Sequence, residues 1–177
     1  MMSERGNRKM KKAIYPGSFD PLTYGHINII NRGRKIFDRV VVAVAGNMSK
    51  NTTFTIDERA DIIRELFRGV KGVEVVSFRG LLVNYMSRRG IRTILRGLRT
   101  FSDFEYEFQM AMGNKKLAQE VETLFMITEG EYSYISSSII KEIVALGGSA
   151  RGMVPPLVEK QLRGKLRVER AAVRRGR

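Results

Sequence analysis

Apolar positions fall in two alternating rhythms along this chain, and the alternation predicts its architecture. Ala13 to Tyr15 reads as a strand. Gly25 to Phe37 follows with Ile27, Ile30 and Phe37 at helical spacing, and Val40 to Ala45 is an unbroken apolar run. Thr55 with Glu58 makes a capping box that opens a helix through Phe67, before a third strand at Val73 to Val76. Leu81 to Arg89 reads as helical, and Thr93 to Leu95 as a fourth strand. Ser102 with Glu105 reads as a second capping box, opening a long helix to about Leu117, with a fifth strand at Leu124 to Ile127. Two helices close the pattern, at Ser136 to Leu146 and at Pro156 to about Leu166.

Apolar strands separated by helices predict an α/β fold: a single doubly wound, Rossmann-like domain with a five-stranded parallel sheet covered on both faces, and C-terminal helices. Ligands of such sheets bind beyond the carboxyl ends of the strands. A length of 177 residues suits one domain. We take residues 12–166 as that domain, with a basic extension over 1–11, expected to be disordered, and a basic tail over 167–177.

Composition narrows the chemistry. The chain has no cysteine and one histidine, so thiolate metal sites, disulfides and multi-histidine metal cages are excluded. Any metal is then expected to be a hard cation such as Mg²⁺, held by water and substrate phosphates. No apolar run approaches the roughly 20 residues of a membrane span, and the N-terminus lacks an export pattern, so a soluble cytoplasmic protein without a membrane partner is expected. The formal charge of +14 suggests nucleic acid until it is located: residues 1–12 carry +4 and residues 163–177 carry +6. Basic tails are most often solvated, so nucleic acid is not the expected partner.

Four segments at junctions between strands and helices carry candidate chemistry. Tyr15-Pro16-Gly17-Ser18-Phe19-Asp20-Pro21-Leu22-Thr23-Tyr24-Gly25-His26 turns through small residues and delivers the single histidine at a helix start, where unpaired N–H groups favour an anion. Taken alone, a histidine there is more often structural; the glycine-rich loop favours function. Lys50 follows the second strand at the same end of the sheet, although a loop lysine alone is usually a solvated charge. Arg96-Gly97-Leu98-Arg99 follows the fourth strand, with two guanidinium forks suited to neighbouring phosphates. Tyr134-Ile135-Ser136-Ser137-Ser138 opens a helix with hydroxyls, which most often serve only as caps. Together these describe a pocket rich in donors and poor in bases, suited to phosphoryl or nucleotidyl transfer.

YPGSFDPLTYGH, Ser49-Lys50, RGLRTFSDFEYE from Arg96 to Glu107, and YSYISSSIIKE from Tyr132 to Glu142 resemble the bacterial phosphopantetheine adenylyltransferases, of the HxGH-type nucleotidyltransferase superfamily. The resemblance spans about residues 12 to 166. It implies transfer of the adenylyl group of ATP to 4′-phosphopantetheine, giving dephospho-coenzyme A and pyrophosphate. By matching position it implies catalytic roles for His26, Lys50 and Arg99, His26 as stabiliser of the transition state. ATP would contact Ser18, Phe19, His26, Gly97, Leu98, Arg99, Glu107 and the segment Tyr132, Ser133, Tyr134, Ile135, Ser136, Ser137 and Ser138. Ser18, Lys50, Leu82 and Arg96 would bind the acceptor, with Mg²⁺ bridging ATP phosphates. The family further implies a homo-oligomer, as a hexamer, and coenzyme A as feedback ligand.

The chain departs from the family pattern at Ser18, where many members have threonine, at Tyr132, where several have tryptophan, and at both ends. Two alternatives stand beside this reading. One is a sister nucleotidyltransferase acting on nicotinate mononucleotide or an alcohol phosphate, against which RGLR and DFEYE argue. The other is a basic nucleic-acid-binding module, which would keep its affinity without His26 and lose it steeply with salt.

Overall fold

The computed structural model describes residues 10–46 and 52–175, with side chains through Leu166. Lys50, and most of the two terminal extensions, lie outside the described residues or side chains. Five strands form one sheet: β1 (Lys12–Gly17), β2 (Arg39–Ala45), β3 (Val73–Phe78), β4 (Thr93–Leu98) and β5 (Glu122–Ile127). All pairings are parallel, and the strand order is β3-β2-β1-β4-β5. The helices are α1 (Tyr24–Ile36), α2 (Ile56–Leu66), α3 (Leu82–Arg89), α4 (Phe101–Leu117), α5 (Ser137–Ala145) and α6 (Pro156–Arg175).

Residue alternation along the strands divides the core in two. Ala13 and Tyr15 of β1 with Val40, Val42 and Val44 of β2 face α1, α2, α5 and α6. Ile14, Val41 and Ala43 point the other way, onto Val83 and Met86 of α3. Side chains one residue apart thus enter opposite cores, which makes β1 and β2 apolar without a break. Gly33 lets α1 settle on the sheet: a Cβ there would stand 2.8 Å from Leu95 Cδ2.

Most strands run a residue or more beyond the sequence reading, and three boundaries differ for identifiable reasons or by a larger margin. β4 runs on through Leu98 rather than stopping at Leu95, because Arg96, Gly97 and Leu98 pair in register with Phe125, Met126 and Ile127 of β5. The N-cap of α4 is Thr100, whose hydroxyl accepts from the Asp103 N–H at 3.2 Å, rather than Ser102. α6 continues past Leu166 to Arg175.

Coverage of both sheet faces also weakens toward β5. α4 has no buried residue, and Leu124 and Ile127 of β5 are exposed. No helix among the described residues is long and apolar enough to cross a membrane.

The topology fixes where a ligand can sit. From β1 the chain winds outward through β2 and β3; it then returns across the sheet to β4 and winds the other way. The carboxyl ends of β1 and β4 therefore diverge, leaving a crevice at the switch point.

Candidate active site

β1 ends at Gly17, and the loop after it turns back into α1. A Cβ at Gly17 would stand 2.8 Å from Phe19 Cζ, so glycine there makes room for the Phe19 ring. Phe19 itself adopts a left-handed backbone (φ 50°). Its ring is buried edge-on to Tyr15, with centroids 5.4 Å apart, and to His26 at 5.1 Å. Aromatic packing thus holds an otherwise unfavourable conformation in place.

His26 belongs to the cap of its own helix. The Thr23 hydroxyl accepts from the His26 backbone N–H at 3.3 Å, and His26 Nδ1 accepts from the Thr23 backbone N–H at 3.0 Å. This is a capping box with histidine where glutamate or glutamine usually stands. A backbone N–H can only donate, so Nδ1 is the bare nitrogen and the proton of the neutral ring is on Nε2. Burial, then Arg99 and Arg96, lower its pKa to about 4. At neutral pH the site therefore holds an uncharged imidazole with one donor, Nε2–H.

Two arginines face the histidine across the crevice, and each is already aimed by a carboxylate. Arg99 Nε lies 2.9 Å from Asp103 Oδ2 and Nη2 lies 3.1 Å from Oδ1, while Nη1 donates to the Ile135 carbonyl at 2.8 Å. Arg96 makes a paired contact with Glu107, its Nε 2.6 Å from Oε2, and its Nη1 donates to the Pro16 carbonyl. The four-residue step from Arg99 to Asp103 closes the turn that starts α4; the eleven-residue step from Arg96 to Glu107 spans from strand to helix. Paired forks of this kind hold guanidinium planes in fixed directions.

Beneath the loop lie two buried charges: Asp20, which the sequence placed in the candidate loop without a role, and Arg59, which sequence reasoning missed. Asp20 accepts from the Thr53 and Phe54 N–H groups at 3.0 Å each and pairs with Lys141 Nζ at 3.0 Å. Arg59 of α2 donates to the carbonyls of Ser18 at 2.5 Å and Ala45 at 3.1 Å, and to those of Phe54 and Thr55. Both are buried. Arg59 fixes the Ser18 backbone from below, tying its carbonyl to those at the end of β2 and the start of α2.

These groups surround a cavity of about 600 Å³. Ser18, Phe19, His26, Arg96, Gly97, Arg99, Glu107, Ile135, Ser136, Ser137 and Ser138 all line it, as do Asp20, Asp103, Thr128 and Lys141. Ser136 caps α5, accepting from the Ile139 N–H at 3.1 Å, so the first turn of that helix points its donors at the cavity. Leu98, Tyr132, Ser133 and Tyr134 are not on its wall. Leu98 is instead buried at the end of β4. Tyr132 and Ser133 lie in and just after the 3₁₀ turn Gly130–Tyr132.

A second cavity of about 580 Å³ adjoins the first, sharing Pro16, Gly17, Ser18, Arg96 and Glu107. Its remaining wall is largely apolar, with Phe78, Leu81, Leu82, Ile94, Tyr106 and Met110. The Arg96–Glu107 pair thus stands where a polar chamber meets an apolar one. Such a pair of chambers can align a nucleotide in one with a long flexible molecule in the other, end to end.

The chain matches the cytidylyltransferase-like family over residues 14–143. A phosphopantetheine adenylyltransferase of Geotalea daltonii is 53% identical over 156 residues, covering 88% of this chain and 97% of the relative. Another, from Moorella thermoacetica, is 54% identical over 153 residues, covering 86% and 96%. A solved structure, a provisionally named nicotinate-nucleotide adenylyltransferase of Vibrio parahaemolyticus, superposes with a TM-score of 0.63 at 17% identity, covering 89% of this chain and 95% of that one. At that identity it speaks to the fold alone.

Proposed function

The chain belongs to the cytidylyltransferase-like family, and within it to the phosphopantetheine adenylyltransferases; from that premise we propose that it transfers the adenylyl group of ATP to 4′-phosphopantetheine. The products are dephospho-coenzyme A and pyrophosphate. The observation that carries the reading is the join of a polar, donor-lined chamber to an apolar one at Ser18 and Arg96.

ATP occupies the polar chamber and the pantetheine arm the apolar one, against Leu82. The acceptor phosphate then meets the α-phosphorus near Ser18 and Arg96, with Lys50 as a further cation for it. A phosphate oxygen attacks in line, the bond from the α-phosphorus to the bridging oxygen breaks, and pyrophosphate leaves. The acceptor phosphate has a second pKa near 6 and is largely dianionic at neutral pH, so no protein base is required. This suits a cavity whose one histidine has its bare nitrogen turned into a helix cap.

His26 Nε2–H donates to the α-phosphate as charge builds on it, and Arg99 and the α5 N-terminus meet the outer phosphates. Mg²⁺ carried by ATP would supply charge neutralisation at its phosphates. The three carboxylates on the cavity wall, Asp20, Asp103 and Glu107, already face Lys141, Arg99 and Arg96, and among the described residues no cluster of three metal ligands exists. A cation carried by the substrate fits that donor set.

The protein works in the cytoplasm as a homo-oligomer, a hexamer, with coenzyme A as feedback ligand. Support for assembly comes from α4, which exposes Phe101, Phe108 and Met112 along one stripe, while Ile127 of β5 is exposed as well. Monomers rarely leave such a stripe of large apolar side chains open to water.

The test mixes purified protein with ATP and Mg²⁺ and follows pyrophosphate release with either 4′-phosphopantetheine or nicotinate mononucleotide. Release with phosphopantetheine alone is the expected result. Release with nicotinate mononucleotide instead, or with neither from folded protein, would overturn the proposal.

A further inference from the structure

Helix α5 and the loop after β1 form two walls of the polar chamber, and two contacts tie them together. Ser137 Oγ donates to the Pro21 carbonyl at 2.9 Å, and Lys141 Nζ donates to Asp20 Oδ2 at 3.0 Å. Asp20 is only 4% exposed, with Oδ1 taken by the Phe54 N–H and Oδ2 shared between the Thr53 N–H and Lys141. A carboxylate fixed by two backbone donors cannot swing to follow a lysine. The lysine must come to it.

An ammonium has three N–H groups, and one points at Asp20. Lys141 is partly open, with a side chain 29% exposed, and it lines the polar chamber. Left alone, a four-carbon side chain on an exposed helix face would sample many rotamers in water. Here it is held against the wall of an anion site, one turn beyond the serines that open the same helix. Neither Asp20 nor Lys141 lines the apolar chamber. Their influence is therefore confined to one substrate.

We propose that Asp20 is a positioning residue for the polyphosphate half of the site, fixing the Lys141 ammonium where the outer phosphates of ATP, and then the departing pyrophosphate, lie. The inference rests on the adenylyl transfer proposed above. Because the same carboxylate anchors the Thr53 and Phe54 backbone, it also keeps α5 in register with the segment leading into α2. Three stretches of chain meet at one buried group.

The test measures binding of inorganic pyrophosphate by calorimetry, together with KM for ATP and for 4′-phosphopantetheine, in Lys141→Met, Lys141→Arg, Asp20→Asn and the Asp20→Asn/Lys141→Met double variant. Loss of one charged contact predicts that Lys141→Met weakens pyrophosphate about tenfold and raises KM for ATP similarly, with KM for the acceptor within about twofold. Lys141→Arg recovers most of the loss. Asp20→Asn shifts the same two constants in the same direction, and the double variant is no worse than the weaker single one, since both break one unit.

Pyrophosphate affinity within about twofold of the parent in Lys141→Met would overturn the proposal, as would an equal loss on the acceptor side or independent, multiplying effects. Should Asp20→Asn fail to fold, the contrast between Lys141→Met and Lys141→Arg decides. Parent protein that binds pyrophosphate, loses it in Lys141→Met, yet makes none from ATP and phosphopantetheine would uphold the positioned lysine and overturn only the reaction.

Discussion

The two ends of the sheet are finished to different degrees. Around β1 and α1 the functional groups are held by partners within the chain: His26 sits in its capping box, Phe19 lies between two rings, and Arg59 holds the Ser18 backbone. Around α4 and β5 the arginines are aimed just as firmly, but the helix that carries their carboxylates buries nothing. The first region is packed and oriented by contacts within one chain. The second presents an apolar stripe to solvent and gains its cover from other copies of the chain, on the assembly proposed above. If the proposed assembly holds, the contrast separates chemistry built into one subunit from support that depends on its neighbours, and variants on the two sides should fail differently.

The largest effect is expected at the finished end. His26→Ala should lower kcat roughly 10²-fold or more, with a modest change in ATP affinity, as for a donor acting mainly in the transition state. Steady-state kinetics that show kcat unchanged would remove the histidine from the reaction. At the other end, Phe108→Glu places a charge in the exposed stripe beside Phe104, with ring centroids now 5.7 Å apart. We expect a smaller species in sedimentation, an unchanged far-ultraviolet spectrum and activity reduced less than in His26→Ala. A variant that keeps the parent's mass would move the interface elsewhere.

How much of this was legible beforehand depended on the distance between partners along the chain. The alternating pattern of strands and helices, the Thr55–Glu58 capping box and the Pro156 helix start are local signals, and the fold follows them. Thr23-x-x-His26 was equally local, yet a capping box is looked for with glutamate or glutamine at its third position. Spacing alone would have revealed it. The extent of β4 was not local, since Arg96 to Leu98 become strand only by pairing with β5. Asp20 and Lys141 meet across 121 residues, and Arg59 reaches Ser18 across 41, so nothing local marks either pairing, although Asp20 and Lys141 both lie in segments the sequence singled out. Thr100 displaced Ser102 as cap because Asp103 serves both the turn and Arg99.

Smaller effects sharpen the picture of the helix start. Thr23→Val removes the hydroxyl that caps α1 but keeps the backbone donor to Nδ1. About 1 kcal/mol of stability should be lost, lowering Tm by roughly 2–4 °C, with kcat little altered. A fall in kcat as deep as that of His26→Ala would mean that the hydroxyl, rather than the backbone, orients the ring. Smallest of all, Lys165→Ala breaks an exposed contact with Glu58 Oε1 at 2.6 Å and should change stability by less than about 1 kcal/mol in thermal unfolding.

The pH dependence carries the same contrast. The folded pKa of His26, about 4, lies below the ordinary 6.5, so the unfolded chain binds a proton here before the folded one does. The stability this provides is complete above about 6.5 and is lost as pH falls toward about 4. Between pH 8 and 6, any change in rate should follow ionisation of the acceptor phosphate instead.

Because the chain has a single histidine, ¹⁵N chemical shifts of that one imidazole, followed from pH 8 to pH 4.5, test the preset donor most directly. A neutral ring protonated on Nε2 and still largely unprotonated at pH 5 is the predicted result. A ring protonated on Nδ1, or one that titrates near 6.5, would contradict the capped, neutral donor on which the site is built.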